Sequence, residues 1–192
     1  MAGLRDRFVT RSLSLAIALA VHIALEAVDV QVDHDRSFDF RVVRTWGWNP
    51  SGMGEVKMAR TRDDDPDAMT RTVEPWIRDA VAKEMMRRGL MEAAAPDVTV
   101  TYFLLLTLST SAQTVGQFLP STVAWSLPPF AQSTQSLEMM NKGALVLDLR
   151  SRDKIVWRGV AQSQIEIGVD DRAKEARVRE GVRDLLGRYP PR

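Results

Sequence analysis

Gly143–Ile167, GALVLDLRSRDKIVWRGVAQSQIEI, is the stretch whose periodicity decides the architecture. It reads as two strands folded on a tight turn. Leu145, Leu147 and Leu149 alternate with Val146, Asp148 and Arg150. After Ser151-Arg152-Asp153, a second period-2 run puts Ile155, Trp157, Ile165 and Ile167 on one face. A half-buried sheet needs one apolar face, and a one-residue slip turns every side chain over. The odd-numbered apolar residues of both strands therefore share a face, and paired positions must sum to an even number. A two-residue loop at Arg152-Asp153 would pair Ser151 with Lys154 and break that rule. A three-residue loop, Ser151–Asp153, pairs Arg150 with Lys154 and Leu147 with Trp157 and keeps the face intact. The expectation is the longer loop, with Trp157 as a core anchor opposite Leu147.

Around this hairpin, 192 residues suit one domain with a short extra segment. The chain is 45% hydrophobic and 27% charged, with a net charge of +1. A domain of this size buries roughly 70% of its unfolded surface, so no disulfide or metal is required for folding. The sequence contains no cysteine, which excludes thiol catalysis, disulfides, thiolate metal sites and cysteine lipidation. Charge gives no footing for nucleic acid. Arg5, Arg7 and Arg11 against Asp6 and Glu26 make residues 1–27 net +1, so the remainder sums to zero without a basic tract.

Those arginines precede Leu13–Leu25, an apolar run broken only by Ser14 and His22. A positive flank before a short apolar core is the pattern of a secretory signal, and the core is short for a membrane span. Ala18-Leu19-Ala20 fits the small-x-small cleavage rule, and Leu25-Glu26-Ala27 fits it less well but lies nearer the first strand. The expectation is a signal peptide over 1–27 and a single domain over 28–192. An uncleaved anchor or an ordinary amphipathic helix is the competing reading.

Val28–Asp33 alternates valine with polar residues as a strand, and Arg41–Trp48 supplies a second. Asn49-Pro50-Ser51-Gly52 breaks the chain, and Gly54–Arg62 shows no usable period. Asp63-Asp64-Asp65-Pro66-Asp67 lacks the glycine and distal glutamate of a calcium loop. It reads instead as an acidic helix start, with Asp65 as N-cap and Pro66 at N1. Pro75 is costly inside a helix, so the main helix is predicted to begin there and run to Arg88. Ile77, Ala80, Val81 and Met85 are its core stripe and Gly89 its stop. Val98–Ser109 is nearly continuous in apolar residues and reads as a central strand covered on both faces. Asp170-Asp171 caps a last helix with Val178, Val182, Leu185 and Leu186 as its stripe. The predicted fold is α+β, an antiparallel-dominated mixed sheet with two helices packed on it, in the order β-β-α-β-β-β-α.

Several of these pieces, taken in order, resemble one known family. They are VDVQVDHDRSFDFRVVRTWGW, the Asp65-Pro66 pair, the WIRDAVAKEMMRRGL helix, Pro96-Asp97 before a strand, GALVLDLRSRDKIVWRGVA and the closing Tyr189-Pro190-Pro191. Over most of Val28–Arg192 the chain is similar to domain of unknown function 4136, a bacterial envelope family. The resemblance implies a secreted, lipoprotein-like protein of a Gram-negative bacterium, and it implies location more than activity. Two departures stand out. Val28 occupies the place where members carry a lipobox cysteine, which removes the lipid anchor, and the hairpin turn is shorter than usual.

The inventory of chemical groups speaks against catalysis. Outside the leader His34 is the only histidine, set between Asp33 and Asp35 as a solvated ion-pair partner would be. There is no nucleophile elbow, P-loop or zinc-protease motif, and no cofactor or metal site is expected. Asp148 and Glu166 are the candidate carboxylates for an alternative reading as a cell-wall or carbohydrate hydrolase. Asp148 falls diagonal to Arg158 in the derived register, which favours an ion pair. The candidate binding residues lie in the loop 110–142. No charged residue occurs between Asp97 and Glu138, yet this stretch carries Phe118, Trp125 and Phe130, with Met139-Met140 beyond it. Such a loop either folds back as a lid on the sheet or offers an aromatic surface to an envelope protein or a membrane. The expected function is a non-enzymatic periplasmic domain that binds or scaffolds an envelope component through that loop.

Overall fold

The computed structural model of the chain describes residues 28–59, 66–107, 113–114, 138–139, 142–165 and 168–190. Strands β8 (Lys142–Ser151) and β9 (Lys154–Gln164) form the hairpin that the alternation predicts. Its turn differs from the expectation. Ser151 pairs with Lys154 and Arg150 with Ile155 around a two-residue turn, with Arg152 at φ 55°. The register then shifts, so that Leu149 pairs with Trp157 and Leu147 with Gly159. Val156 is thus the extra residue of a β-bulge, and the bulge restores the even sum that the apolar face requires. Trp157 is fully buried, as expected, although its partner is Leu149 rather than Leu147.

The hairpin lies within a seven-stranded sheet ordered β1-β9-β8-β5-β2-β4, with β3 paired to β5. Here β1 is Asp29–His34, β2 Thr45–Trp48, β3 Gly54–Ala59, β4 Met91–Glu92 and β5 Val98–Thr107. Strands β1, β9, β8 and β5 are successively antiparallel, whereas β2 and β3 run parallel to β5. A 3-10 turn at Phe40–Val42 takes up the start of the predicted second strand. Strands β3 and β4 are absent from the predicted order, although in β3 Val56 and Met58 do alternate with Glu55 and Lys57. β2 pairs with Val98–Val100 and β3 with Tyr102–Thr107, so together they form one interrupted neighbour of β5. Asn49 keeps the ladder going through the break, its N–H donating to the Val100 carbonyl at 3.0 Å. Two further strands, β6 (Gln113–Thr114) and β7 (Glu138–Met139), pair with each other alone.

Helix α1 spans Pro66–Arg87 without interruption, so Pro75 lies inside it rather than at its start. An interior proline costs about 3 kcal/mol. The helix outweighs this because Val73 on one side of Pro75 and Ile77, Val81 and Met85 on the other are all buried, each worth roughly 1.5–3 kcal/mol. It ends as a Schellman motif: Leu90 N–H donates to the Met85 carbonyl, Gly89 N–H to that of Met86, and Gly89 sits at φ 70°. Helix α2, Asp171–Gly187, begins with the Asp170 carboxylate accepting from Ala173 N–H at 2.8 Å, as its cap position predicts. Asp65 falls outside the described residues. Both helices cover the sheet face that carries Leu145, Leu147, Leu149, Trp157 and Tyr102. The opposite face is buried as well, with Phe103, Val146, Asp148, Arg158 and Val160 at or below 8% exposure. The hairpin therefore has no solvated polar face, and β5 is central and covered on both sides as expected.

Candidate functional site

Along the helix-covered face the side chains shrink in one direction. On β9 the inward sequence is Trp157, Gly159, Ala161, Ser163, and on β8 it is Leu149, Leu147, Leu145, Gly143. At the large end Leu147, Leu149, Trp157, Leu185 and Leu186 close the core completely. At the small end α2 still comes close to the sheet, since a methyl group on Gly181 would lie 3.7 Å from Ala161, and beyond that approach an open cleft of ≈190 Å³ remains. Gly143, Leu145 and Ala161 belong to its floor, with Leu104 and Leu106 of β5 beside them. Met69, Val73 and Trp76 of α1 form one wall. Val178 and Gly181 of α2 form the other. This explains why Val178, alone of the four predicted stripe residues of α2, is only partly buried.

The two walls differ in polarity. The α1 and β5 side is apolar, whereas the α2 and β9 side adds Lys174, Arg177, Ser163 and Gln164. Arg177 donates through Nη1 to the Gln164 carbonyl at 2.9 Å, which fixes α2 to the end of β9. Lys174 is exposed and donates to Asp171 at 2.9 Å, a surface pair of small energy. No carboxylate occurs among the described residues that line the cleft. The arrangement can hold an apolar group and can attract a negative charge at one rim.

The residues singled out by sequence are elsewhere. Phe118, Trp125, Phe130 and Met140 lie outside the described residues, and of Met139 only the backbone pairing with Gln113 is described. Asp148 points to the sheet face away from the cleft and is fully buried, with both oxygens held at 2.6 Å by Arg158. Burial pushes its carboxyl up, while the guanidinium pulls the other way. Glu166 lies outside the described residues. His34 is exposed at the end of β1, with its ring edge-on to Phe40 at 5.8 Å. Among the described residues no His, Asp and Glu cluster fit to hold a metal occurs. The cleft was missed because volume along a face, unlike hydrophobicity, leaves the period-2 signal unchanged. The run Trp157, Gly159, Ala161, Ser163 was the clue.

Two helices on a mixed, mostly antiparallel seven-stranded sheet, with an apolar cleft at their open end, define an α+β domain. The chain belongs to the family described as domain of unknown function, DUF4136, whose profile matches residues 30–191. No curated protein matches it significantly. Its fold is similar to a PDZ domain protein from Parabacteroides distasonis ATCC 8503, at 14% identity and a TM-score of 0.50. That match covers 85% of this chain and 35% of the other, so this chain spans about a third of that protein. A DUF4136 family protein from Bacteroides thetaiotaomicron VPI-5482 matches at 12% identity and a TM-score of 0.49, covering 85% of this chain and 96% of that one. The PelC dodecamer from Paraburkholderia phytofirmans matches at 7% identity and 0.41, covering 82% and 96%. These likenesses concern the fold alone.

Proposed function

We propose that this is a non-enzymatic binding domain of the bacterial cell envelope, and that its cleft takes up an apolar group carried by another envelope component. The observation behind it is the cleft itself: apolar on the α1 and β5 side, open to solvent, and without a described carboxylate in its lining. The neutral dye N-phenyl-1-naphthylamine tests it. Its fluorescence should rise on the native protein and stay low on Val178→Phe, which fills the space from α2, at an unchanged melting temperature. Equal enhancement on both proteins would place the apolar site elsewhere and remove the support.

Export to the periplasm is the second half of the reading. It rests on Arg5, Arg7 and Arg11 before the apolar run Leu13–Leu25, and on Val28 standing where a lipidated cysteine would be. Protein from the envelope fraction should have an intact mass that lacks the leader. Retention of Met1, or added acyl mass, contradicts it. The uncharged segment Thr110–Leu137 is proposed as a further contact on composition alone, since Phe118, Trp125 and Phe130 occur there without one charge. Replacing Gln113–Gln135 with a short Gly/Ser linker should leave the melting transition nearly unchanged and abolish co-purification of an envelope partner. Unfolding on deletion would remove that part of the proposal.

A further inference from the structure

We infer that the natural occupant of the cleft is a free single-chain amphiphile with an anionic head, such as a fatty acid. This rests on the cleft being a site for apolar groups and adds what lies at its rim.

Size limits the tail. A dry cavity of about 150 Å³ takes up benzene. A cleft of ≈190 Å³, open on one side, therefore accommodates one alkyl chain or ring and leaves no room for the paired chains of a phospholipid. The walls select the same shape. Met69, Val73 and Trp76 face the tail from α1; methionine adapts well to a flexible chain, and the indole supplies a broad apolar surface.

Charge selects the head. Lys174 and Arg177 line the α2 side of the cleft one helical turn apart. Lys174 also pairs at the surface with Asp171 and Arg177 holds the Gln164 carbonyl, so a head group shares these cations with partners already in place. Ser163 and Gln164, at the end of β9, add neutral hydrogen-bonding groups to that side. An amphiphile laid with its tail against α1 and β5 carries its head to Lys174 and Arg177. A carboxylate there gains charge-assisted hydrogen bonds, and an alcohol gains only neutral ones. A bilayer is a poorer source, because a phospholipid would have to leave one chain outside the cleft.

The test displaces N-phenyl-1-naphthylamine from the full chain with decanoate, with 1-decanol, and with vesicles of phosphatidylglycerol. Decanoate should displace the dye with one site per chain and more tightly than decanol. Its affinity should fall with added salt, and by roughly tenfold in Lys174→Gln/Arg177→Gln, about the worth of one charge-assisted contact. Because Arg177 also ties α2 to Gln164, the melting temperature of that variant is read alongside. The salt series on the unmodified protein gives the same answer without a substitution. Equal displacement by decanol and decanoate, insensitive to salt, overturns the anionic head and leaves the apolar cleft standing. Displacement by vesicles but not by decanoate overturns the free amphiphile in favour of a membrane surface. If the dye itself does not bind, both readings fall.

Discussion

Asp148 and Arg158 face each other directly across β8 and β9, joined by two parallel hydrogen bonds of 2.6 Å, with side chains only 1% and 3% exposed. A buried bidentate pair of this kind adds little net stability over a well-packed apolar pair, but it is severe to break. Arg158→Leu leaves a carboxylate in the interior with its partner gone and should cost about 3–5 kcal/mol. Asp148→Leu/Arg158→Leu should cost much less than the sum of the single changes, since both charges leave together. Urea denaturation of the four proteins measures the coupling. Additive losses would mean that the pair is not the interaction at stake.

The turn that follows carries a local strain. Arg152 sits at φ 55°, where a side chain costs about 1–2 kcal/mol relative to right-handed backbone. Glycine removes that cost but gives back part of it as unfolded-chain entropy. Arg152→Gly should therefore stabilise the protein by about 0.5–1 kcal/mol, and Arg152→Val should destabilise it. Thermal denaturation of both variants gives the signs. A loss on introducing glycine would mean that the side chain of Arg152 contributes more than its backbone costs.

That turn also shows where sequence reading reached its limit. The alternation of Leu145, Leu147 and Leu149 made β8 legible, and the parity argument correctly required odd residues to meet odd residues across the hairpin. Parity can be met by a longer loop or by a bulge, and hydrophobicity does not separate them; Val156 is apolar on either account. The unbroken α1 was hidden by Pro75, whose local cost is plain in the sequence, while the burial of Val73 and Ile77 that outweighs it is a tertiary fact. Both helical stripes were readable from one residue period, and the central β5 from its continuous apolar run; the fold class followed from these local patterns. The cleft depends on side-chain volumes on three strands and two helices at once, and so did not show.

Asp97 explains the Pro96-Asp97 pair and gives an acid dependence. Its carboxylate accepts from the N–H groups of Arg44 and Thr45 and from the Thr45 hydroxyl, each at 2.9 Å, and so aligns the start of β2 with β5. The Arg44 and Thr45 N–H groups hold its pKa below the ordinary value. Lys154 does the same for Asp35. Groups with a depressed folded pKa stabilise the native state above their unfolded pKa, near 4, and lose that contribution as pH falls through the folded value. Stability should fall below about pH 4, and Asp97→Asn should be less stable at pH 7 with a shallower acid loss. Melting temperatures from pH 7 to 2 check the slope. Parallel curves for the two proteins would mean that Asp97 is not a source of the acid sensitivity.

Trp157 and Gly159 test the packing at the large end of the core. The Trp157 ring folds back along β9, and a methyl group on Gly159 would sit 2.6 Å from the ring and 2.7 Å from Leu185. Gly159→Ala should therefore cost about 1–3 kcal/mol by overpacking, although alanine in a strand is ordinarily favoured over glycine by roughly 0.5–1 kcal/mol. Trp157→Ala should cost about 3–5 kcal/mol through the space it leaves. With the ring gone, the Leu185 methyl can move into the vacated volume and the added methyl partly refills it. The sign of the glycine substitution should then reverse, so that Gly159→Ala is neutral or stabilising in the Trp157→Ala background. Reversible denaturation of the single and double variants reads the coupling directly. The same penalty for Gly159→Ala in both backgrounds would show that the backbone, and not the indole, excludes a side chain at this position.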